Sequence, residues 1–190
     1  MTSVPLQLRG RGGWVRARVF WPRPPGLDPG PGAALLVWLP GEGRGAGGAW
    51  LPAHRLFAEA GLTVLSVPAG AAVQDAATAL EWAADHAAEL DADPARLLVA
   101  GEGLGAGLAA AVCLHARDQG WPIVGRQLLL FPRFAPGPAS PLLAPSLSGL
   151  PPATVVTAED DPAAEQGRSF AGRLRVAGVE VQEVSCRHQT

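Results

Sequence analysis

Residues Arg96 to Asp118 read RLLVAGEGLGAGLAAAVCLHARD: a short apolar strand, a glycine-rich turn and a long apolar helix. A strand-turn-helix unit of this kind puts its turn at the carboxyl edge of a parallel sheet, where open α/β folds gather their chemistry. Function is therefore expected at the turn from Gly101 to Gly107.

The turn sustains two readings. As Gly-x-Gly-x-x-Ala (Gly101, Gly103, Ala106) it lets a dinucleotide pyrophosphate approach the backbone, with free N–H groups supplied by the helix start. As Gly-x-x-x-Gly (Gly101, Gly105) it has the outline of a nucleophile elbow, with Gly103 where the serine belongs.

Outward from this unit, apolar strands alternate with helical segments. Upstream, Val4 to Leu8 and Trp14 to Phe20 read as two strands joined by the turn Arg9 to Gly13. Pro22 to Gly32 is a proline-rich loop. Ala33 to Leu39 is a buried strand, followed by a second glycine-rich loop from Pro40 to Gly48. A short helix follows, with Pro52 in its first turn, Leu56, Phe57 and Ala60 as its apolar side, and Gly61 as its stop. After a strand at Thr63 to Val67, the spacing predicts a helix that buries Val73, Ala77, Leu80, Ala84 and Ala87. Its other face carries Gln74, Thr78, Glu81, Asp85 and Glu89, with His86 a plain surface residue.

Downstream, Gln127 to Phe131 is a buried strand. Pro132 to Pro152 lacks periodicity and reads as an excursion over the surface. Ala153 to Thr157 is a strand. A helix starts at Asp161-Pro162, packs through Phe170, Leu174 and Ala177, and ends at Gly178. Val179 to Val184 is a last, exposed strand. The sum is one α/β domain over residues 1–190, with a mostly parallel sheet preceded by an antiparallel hairpin.

Composition sets the outer limits. With 190 residues, 48% of them hydrophobic, the chain can bury a substantial core, and its 24 glycines and 19 prolines punctuate apolar segments. A net charge of −2 argues against a nucleic-acid binder. Arg9, Arg11, Arg16, Arg18 and Arg23 precede any acidic residue, but Arg16 and Arg18 alternate with Val15, Ala17 and Val19 and read as a solvated strand face. No secretory leader and no membrane span is legible, so a cytoplasmic protein is expected. Cys113 sits in an apolar helix and reads as a small buried hydrophobe, and neither it nor Cys186 has metal-ligand spacing. We expect neither metal nor cofactor.

The chain resembles the hormone-sensitive-lipase branch of the α/β-hydrolases, the bacterial acetyl-hydrolase and carboxylesterase group. DADPARLLVAGEGLGAGLAAAV (Asp91 to Val112) is similar to that group's strand, Gly-Asp-Ser-Ala-Gly-Gly elbow and helix, and GLPPATVVTAEDDPAAEQG (Gly149 to Gly167) to its acid-bearing strand and loop. VWLPGEGRGAGG and EWAADHAAEL match more weakly. Together these segments span most of Ala33 to Gly178.

By this resemblance Gly103 holds the place of the nucleophilic serine and has nothing to attack with. Glu102 stands for the usual aspartate, and the Leu104 N–H matches one oxyanion-hole donor. Pro40-Gly41-Glu42-Gly43 matches the His-Gly-Gly-Gly loop. There Gly41 and Glu42 are the oxyanion-hole candidates, and the Glu42 charge opposes a developing oxyanion. Asp161 matches the triad acid, and is equally suited to capping a helix. His188 is the candidate base, close to a free end and lacking the glycine that usually follows it.

The family's final helix and its Arg-Leu-Ala-Pro-Glu segment have no counterpart here. Pro68, Ala69 and Gly70 run straight into the next helix, and we expect a reduced cap. Glycine at 103 also relieves a strained elbow.

Three functions follow as expectations. The first is a catalytically impaired hydrolase homologue that binds a small acyl ester, another small apolar ligand or an unidentified protein. The second is an esterase with displaced chemistry, with Ser66, Ser140, Ser146, Ser148 and Ser169 as candidate nucleophiles, none of them on an elbow. The third is an NADP-binding or nucleotide-binding protein using Gly101, Gly103 and Ala106. A dinucleotide fold wants an acid after the next strand, and here Phe131 leads through Pro132 to Arg133, which suits a phosphate.

Overall fold

The computed structural model describes residues 2–10, 13–22, 32–41 and 53–186. Eight strands form one sheet in the order β1-β2-β4-β3-β5-β6-β7-β8. They are β1 (Thr2–Gly10), β2 (Gly13–Trp21), β3 (Ala33–Leu39), β4 (Thr63–Ser66), β5 (Ala92–Glu102), β6 (Arg126–Leu130), β7 (Ala153–Ala158) and β8 (Val181–Cys186). β1 and β2 pair antiparallel, β2 meets β4 antiparallel, and every pairing from β4 to β8 is parallel. The expected α/β architecture with an antiparallel N-terminal hairpin is what forms.

Parallel strands buried on both faces need continuous apolar runs. AALLVWL in β3 is buried along nearly its whole length. β3 lies between β4 and β5, so the chain leaves it in one direction and returns on the other side. That reversal opens a crevice at the carboxyl ends of β3 and β5, and it sets the location of the site.

Among the described residues four α-helices flank the sheet: α1 (Ala53–Glu59), α2 (Val73–Asp85), α3 (Leu104–Gln119) and α4 (Ala164–Val176). The larger core lies between the sheet and α2, α3 and α4, and includes Leu35, Val37, Val99, Leu129, Leu80, Val112 and Phe170. The smaller one, with Phe20, Leu36, Trp38, Val64 and Ala100, is closed by Ala58 of α1. Among the described residues no helix is long and apolar enough to cross a membrane.

Several local expectations need correction. α1 buries Ala58 and lays Phe57 against Trp38 at 5.5 Å, while Leu56 and Ala60 face solvent. The helix meets the sheet on one narrow line, which a single small residue fills best. α2 buries Ala76, Ala77, Ala79, Leu80 and Ala83, rotated from the expected stripe because alanines on both flanks leave the pattern ambiguous. His86 is half-buried and stacks on Trp82 at 4.4 Å, its Nδ1 2.9 Å from the Trp82 carbonyl.

β5 starts at Ala92, not at the apolar run. Its pairing with β3 shifts between Ala34 and Leu35, and Pro94, Ala95 and Arg96 are left exposed at the irregularity. Residues 132–152 run over the surface as expected, but they are anchored to it by the buried Phe134, Pro141, Leu147 and Leu150. Arg173 holds this segment, donating to the carbonyls of Pro141, Leu142 and Ala144. The loops expected at residues 23–31 and 42–48, the Arg11–Gly12 turn, Pro52 and His188 lie outside the described residues.

Candidate active site

Gly103 separates the last residue of β5 from the first of α3 and has φ 56° and ψ −122°. Its N–H donates to the Leu130 carbonyl at 2.9 Å, and its own carbonyl accepts from Arg133 N–H at 2.9 Å and Ala106 N–H at 3.1 Å. The turn is thus held by backbone on both sides, and the left-handed φ is imposed whatever residue stands there. A Cβ built on Gly103 would meet nothing within 4 Å. The elbow has kept its bend and has open space where a side chain would project.

Gly101 and Gly105 have a different task. A Cβ on Gly101 would stand 2.1 Å from the Gly105 carbonyl oxygen, and one on Gly105 would stand 2.1 Å from that of Leu39. Both let α3 press onto the ends of β5 and β3. Of the two glycines in the dinucleotide alternative, Gly101 is accounted for by this packing and Gly103 by the bend.

Leu104 is the first residue of α3, so its N–H has no preceding helical turn to receive it and is one of the helix's free donors. Gly41, just beyond β3, lies against the elbow: a Cβ there would be 2.5 Å from the Glu102 carbonyl oxygen. Gly41 therefore sits against the elbow, while Leu104 and Pro40 line the pocket beside it. Glu42 lies outside the described residues. Burial raises the pKa of the half-buried Glu102 carboxyl above its ordinary value.

Asp161 follows β7 at the same edge of the sheet. Its Oδ1 accepts from Ala163 N–H at 2.9 Å and lies 3.4 Å from the Arg133 guanidinium. The expected N-cap role is displaced: α4 starts at Ala164, and Asp161 caps the turn leading into it, with its carbonyl accepting from Ala164 N–H at 2.9 Å. The carboxylate is largely enclosed, its side chain 11% exposed against 52% for Arg133.

Arg133 is the residue whose role the sequence concealed. Its backbone N–H holds the Gly103 carbonyl and its side chain reaches Asp161, so one residue ties the elbow position to the acid position. It is turned to a carboxylate, not left open for a phosphate. The pairing joins residues 28 positions apart through a turn in which Phe131 takes φ 47°. A clue was available: a residue just past the strand between β5 and β7 must lie between their ends.

Beside the elbow is a pocket of about 330 Å³ bounded by Pro40, the start of α2 at Ala72 and Val73, the face of α3 at Leu104, Leu108 and Ala111, and the 135–141 segment. Ser140 supplies its one side-chain hydroxyl among the described residues. Such a space suits a short acyl or alkyl group, since little but apolar surface lines it. Ser66, Ser146, Ser148 and Ser169 do not line it. No cluster of three or more metal-ligating side chains occurs among the described residues.

Comparison with known proteins agrees with this geometry. The family profile of the α/β-hydrolase fold matches residues 64–139 and 134–190. The carboxylic ester hydrolase LipN of Mycobacterium tuberculosis is 34% identical over 232 residues, an alignment covering 93% of this chain and 60% of LipN. The carboxylesterase NlhH of the same organism is 32% identical, covering 88% of this chain and 67% of NlhH. Among solved structures, an esterase of Pyrobaculum calidifontis superposes with a TM-score of 0.81 at 30% identity, over 98% of this chain and 76% of that one. EstE1, a thermostable carboxylesterase cloned from a metagenomic library, gives 0.81 at 28% identity, over 100% of this chain and 80% of its own.

Proposed function

Because this chain belongs to the α/β-hydrolase fold family, in its hormone-sensitive-lipase and carboxylesterase branch, we propose that it is a non-catalytic member that keeps the esterase scaffold to bind a small acyl or other apolar ligand. We place it in the cytoplasm. One observation carries the proposal: at the bend between β5 and α3, where an esterase of this group holds its serine, Gly103 offers no nucleophile. The apolar pocket beside it supports ligand binding, with Leu104 and Gly41 as the backbone contacts to a polar end of the ligand. Asp161 is the residual triad acid in this reading, and His188 the residual base.

A second reading, displaced ester hydrolysis, draws on Ser140, the hydroxyl that lines the pocket. Both are tested by p-nitrophenyl acetate and butyrate hydrolysis with the purified chain, its Gly103→Ser variant and its Ser140→Ala variant. We expect no turnover above the uncatalysed rate in the unmodified chain, and a rise in thermal midpoint with a short ester such as ethyl butyrate. Turnover by the unmodified chain sinks the proposal, and its loss in Ser140→Ala would hand the site to the second reading.

A further inference from the structure

On the far side of the sheet from the pocket, the N-terminal hairpin presents a basic face for which the ester-binding reading has no use. In β2, Val15, Ala17 and Val19 are buried, while Trp14, Arg16 and Arg18 between them are exposed. Cross-strand register puts Arg9 directly opposite Trp14, Gln7 opposite Arg16 and Pro5 opposite Arg18, so all six share one face. Five of the 15 arginines fall in the first 27 residues, ahead of Asp28, the first of the 17 acidic residues. Charge is thus segregated, although the whole chain is at −2.

Folding does not account for the whole of this face. Charged residues often protect the open edge of a sheet, and Arg9 on the edge strand β1 and Arg16, which lies beyond the stretch of β2 paired with β4, can serve that end, but Arg18 is paired on both sides, with Pro5 of β1 and Ser66 of β4. Among the described residues neither Arg9 nor Arg16 has an ion-pair partner, and Arg18 donates only to the Ser3 hydroxyl at 3.3 Å. Trp14 is 67% exposed, the largest apolar side chain left in solvent on this strand. An exposed indole on a face with guanidinium groups that have no ion-pair partner among the described residues is complementary to a partner that is anionic and has an apolar layer just beneath its charge.

We propose that the outer face of the β1–β2 hairpin docks the protein on a bilayer surface rich in anionic lipid. Arg9, Arg16 and Arg18 engage headgroup phosphates, and the Trp14 indole enters the interfacial layer. A bilayer fits better than a nucleic acid, because the face has one aromatic where a stacking platform uses several. The proposal is independent of whether the pocket binds or hydrolyses an ester.

The test is partitioning of the full chain onto vesicles of equimolar phosphatidylcholine and phosphatidylglycerol, beside pure phosphatidylcholine and a short single-stranded RNA. Binding is expected on the anionic vesicles alone, weakening as salt shortens the Debye length from about 10 Å at 0.1 M to about 3 Å at 1 M. Each arginine replaced by serine should lower the partition coefficient about fivefold, so Arg16→Ser/Arg18→Ser together lose roughly 25-fold. Arg16→Lys/Arg18→Lys should keep binding, Trp14→Ser should lose it in part, and Arg168→Ser on α4 should change nothing.

The side chains altered point outward, and thermal melts of each variant check the fold. Should the double serine variant fail to fold, Trp14→Ser and the salt series decide alone. The proposal is overturned by any of four results: no binding to anionic vesicles, equal binding to neutral ones, unchanged binding in the folded serine variants, or tighter, Arg16-dependent binding to RNA.

Discussion

Replacing Gly103 and Gly105 separately by alanine should show that two glycines two residues apart are needed for unrelated reasons. At position 103 a Cβ meets no atom within 4 Å, so the cost is conformational only. A non-glycine residue held at φ 56° is strained by about 1–3 kcal/mol. The variant cannot relax away from that angle cheaply, because the peptide is fixed by hydrogen bonds to Leu130 and Arg133. Removing a glycine also stiffens the unfolded chain and returns about 0.4–1 kcal/mol. The net loss is on the order of 1–2 kcal/mol, which in a chain of this size lowers the thermal midpoint by about 2–8 °C.

At position 105 the added carbon would stand 2.1 Å from the Leu39 carbonyl oxygen and 2.7 Å from the Pro40 carbonyl carbon. Both are backbone, so α3 must move off β3, and the loss should reach about 3 kcal/mol or more. Urea titration of both variants beside the parent is the assay, with the same slope required for all three so that midpoints compare directly. The reasoning fails if Gly103→Ala costs as much as Gly105→Ala, or if it costs nothing. Confirmed, the ordering would mean that a serine at 103 is a strain this fold can bear but gains nothing from, unless it is used.

Two further outcomes are expected. Glu102 is an acid whose pKa is raised by desolvation from 4.5, so the folded state binds more protons than the unfolded just above that pH. Stability must then fall as pH rises through the interval between 4.5 and the folded value. Glu102→Gln, having no charge to desolvate, should therefore melt higher than the parent at pH 7 and show no advantage at pH 4, and a constant difference across that range would contradict the assignment. Arg173→Ala leaves the carbonyls of Pro141, Leu142 and Ala144 without their donor. It should cost about 1–3 kcal/mol and speed amide exchange around residues 141–144 while sparing β5, and unaltered exchange there would show that the buried side chains alone hold the segment.

What could be read from the sequence follows how local each cause was. β3 was legible to the residue because AALLVWL is apolar throughout and bounded by Gly32 and Pro40. The elbow unit was legible because apolar strand, glycines and apolar helix are contiguous. α2 is legible as a helix but not in its rotation, since an alanine-rich helix has no sharp boundary between its faces, and the sheet and α3 together decide which alanines are enclosed. The burial of Phe134, Leu147 and Leu150 left no period to detect, because a segment without regular structure enters the core wherever a helix leaves room. The Phe134 ring meets that of Phe170 at 4.9 Å, a contact between elements that no local pattern predicts.

The same limit applies to the meaning of Asp161, which the sequence marked both as a triad acid and as a cap. A nearly enclosed carboxylate needs hydrogen bonds and a counter-charge to persist. In a working triad the base supplies the first and, as it takes a proton, the second. Here Ala163 N–H supplies the hydrogen bond and the Arg133 guanidinium the charge, both from within the described fold. Among the described residues these two partners already satisfy Asp161, and the turn into α4 gives it a structural role independent of any triad. It follows that an aspartate in this place is weak testimony for catalysis, and that the elbow, where nothing but the missing side chain separates Gly103 from a nucleophile, is where the question of activity has to be asked.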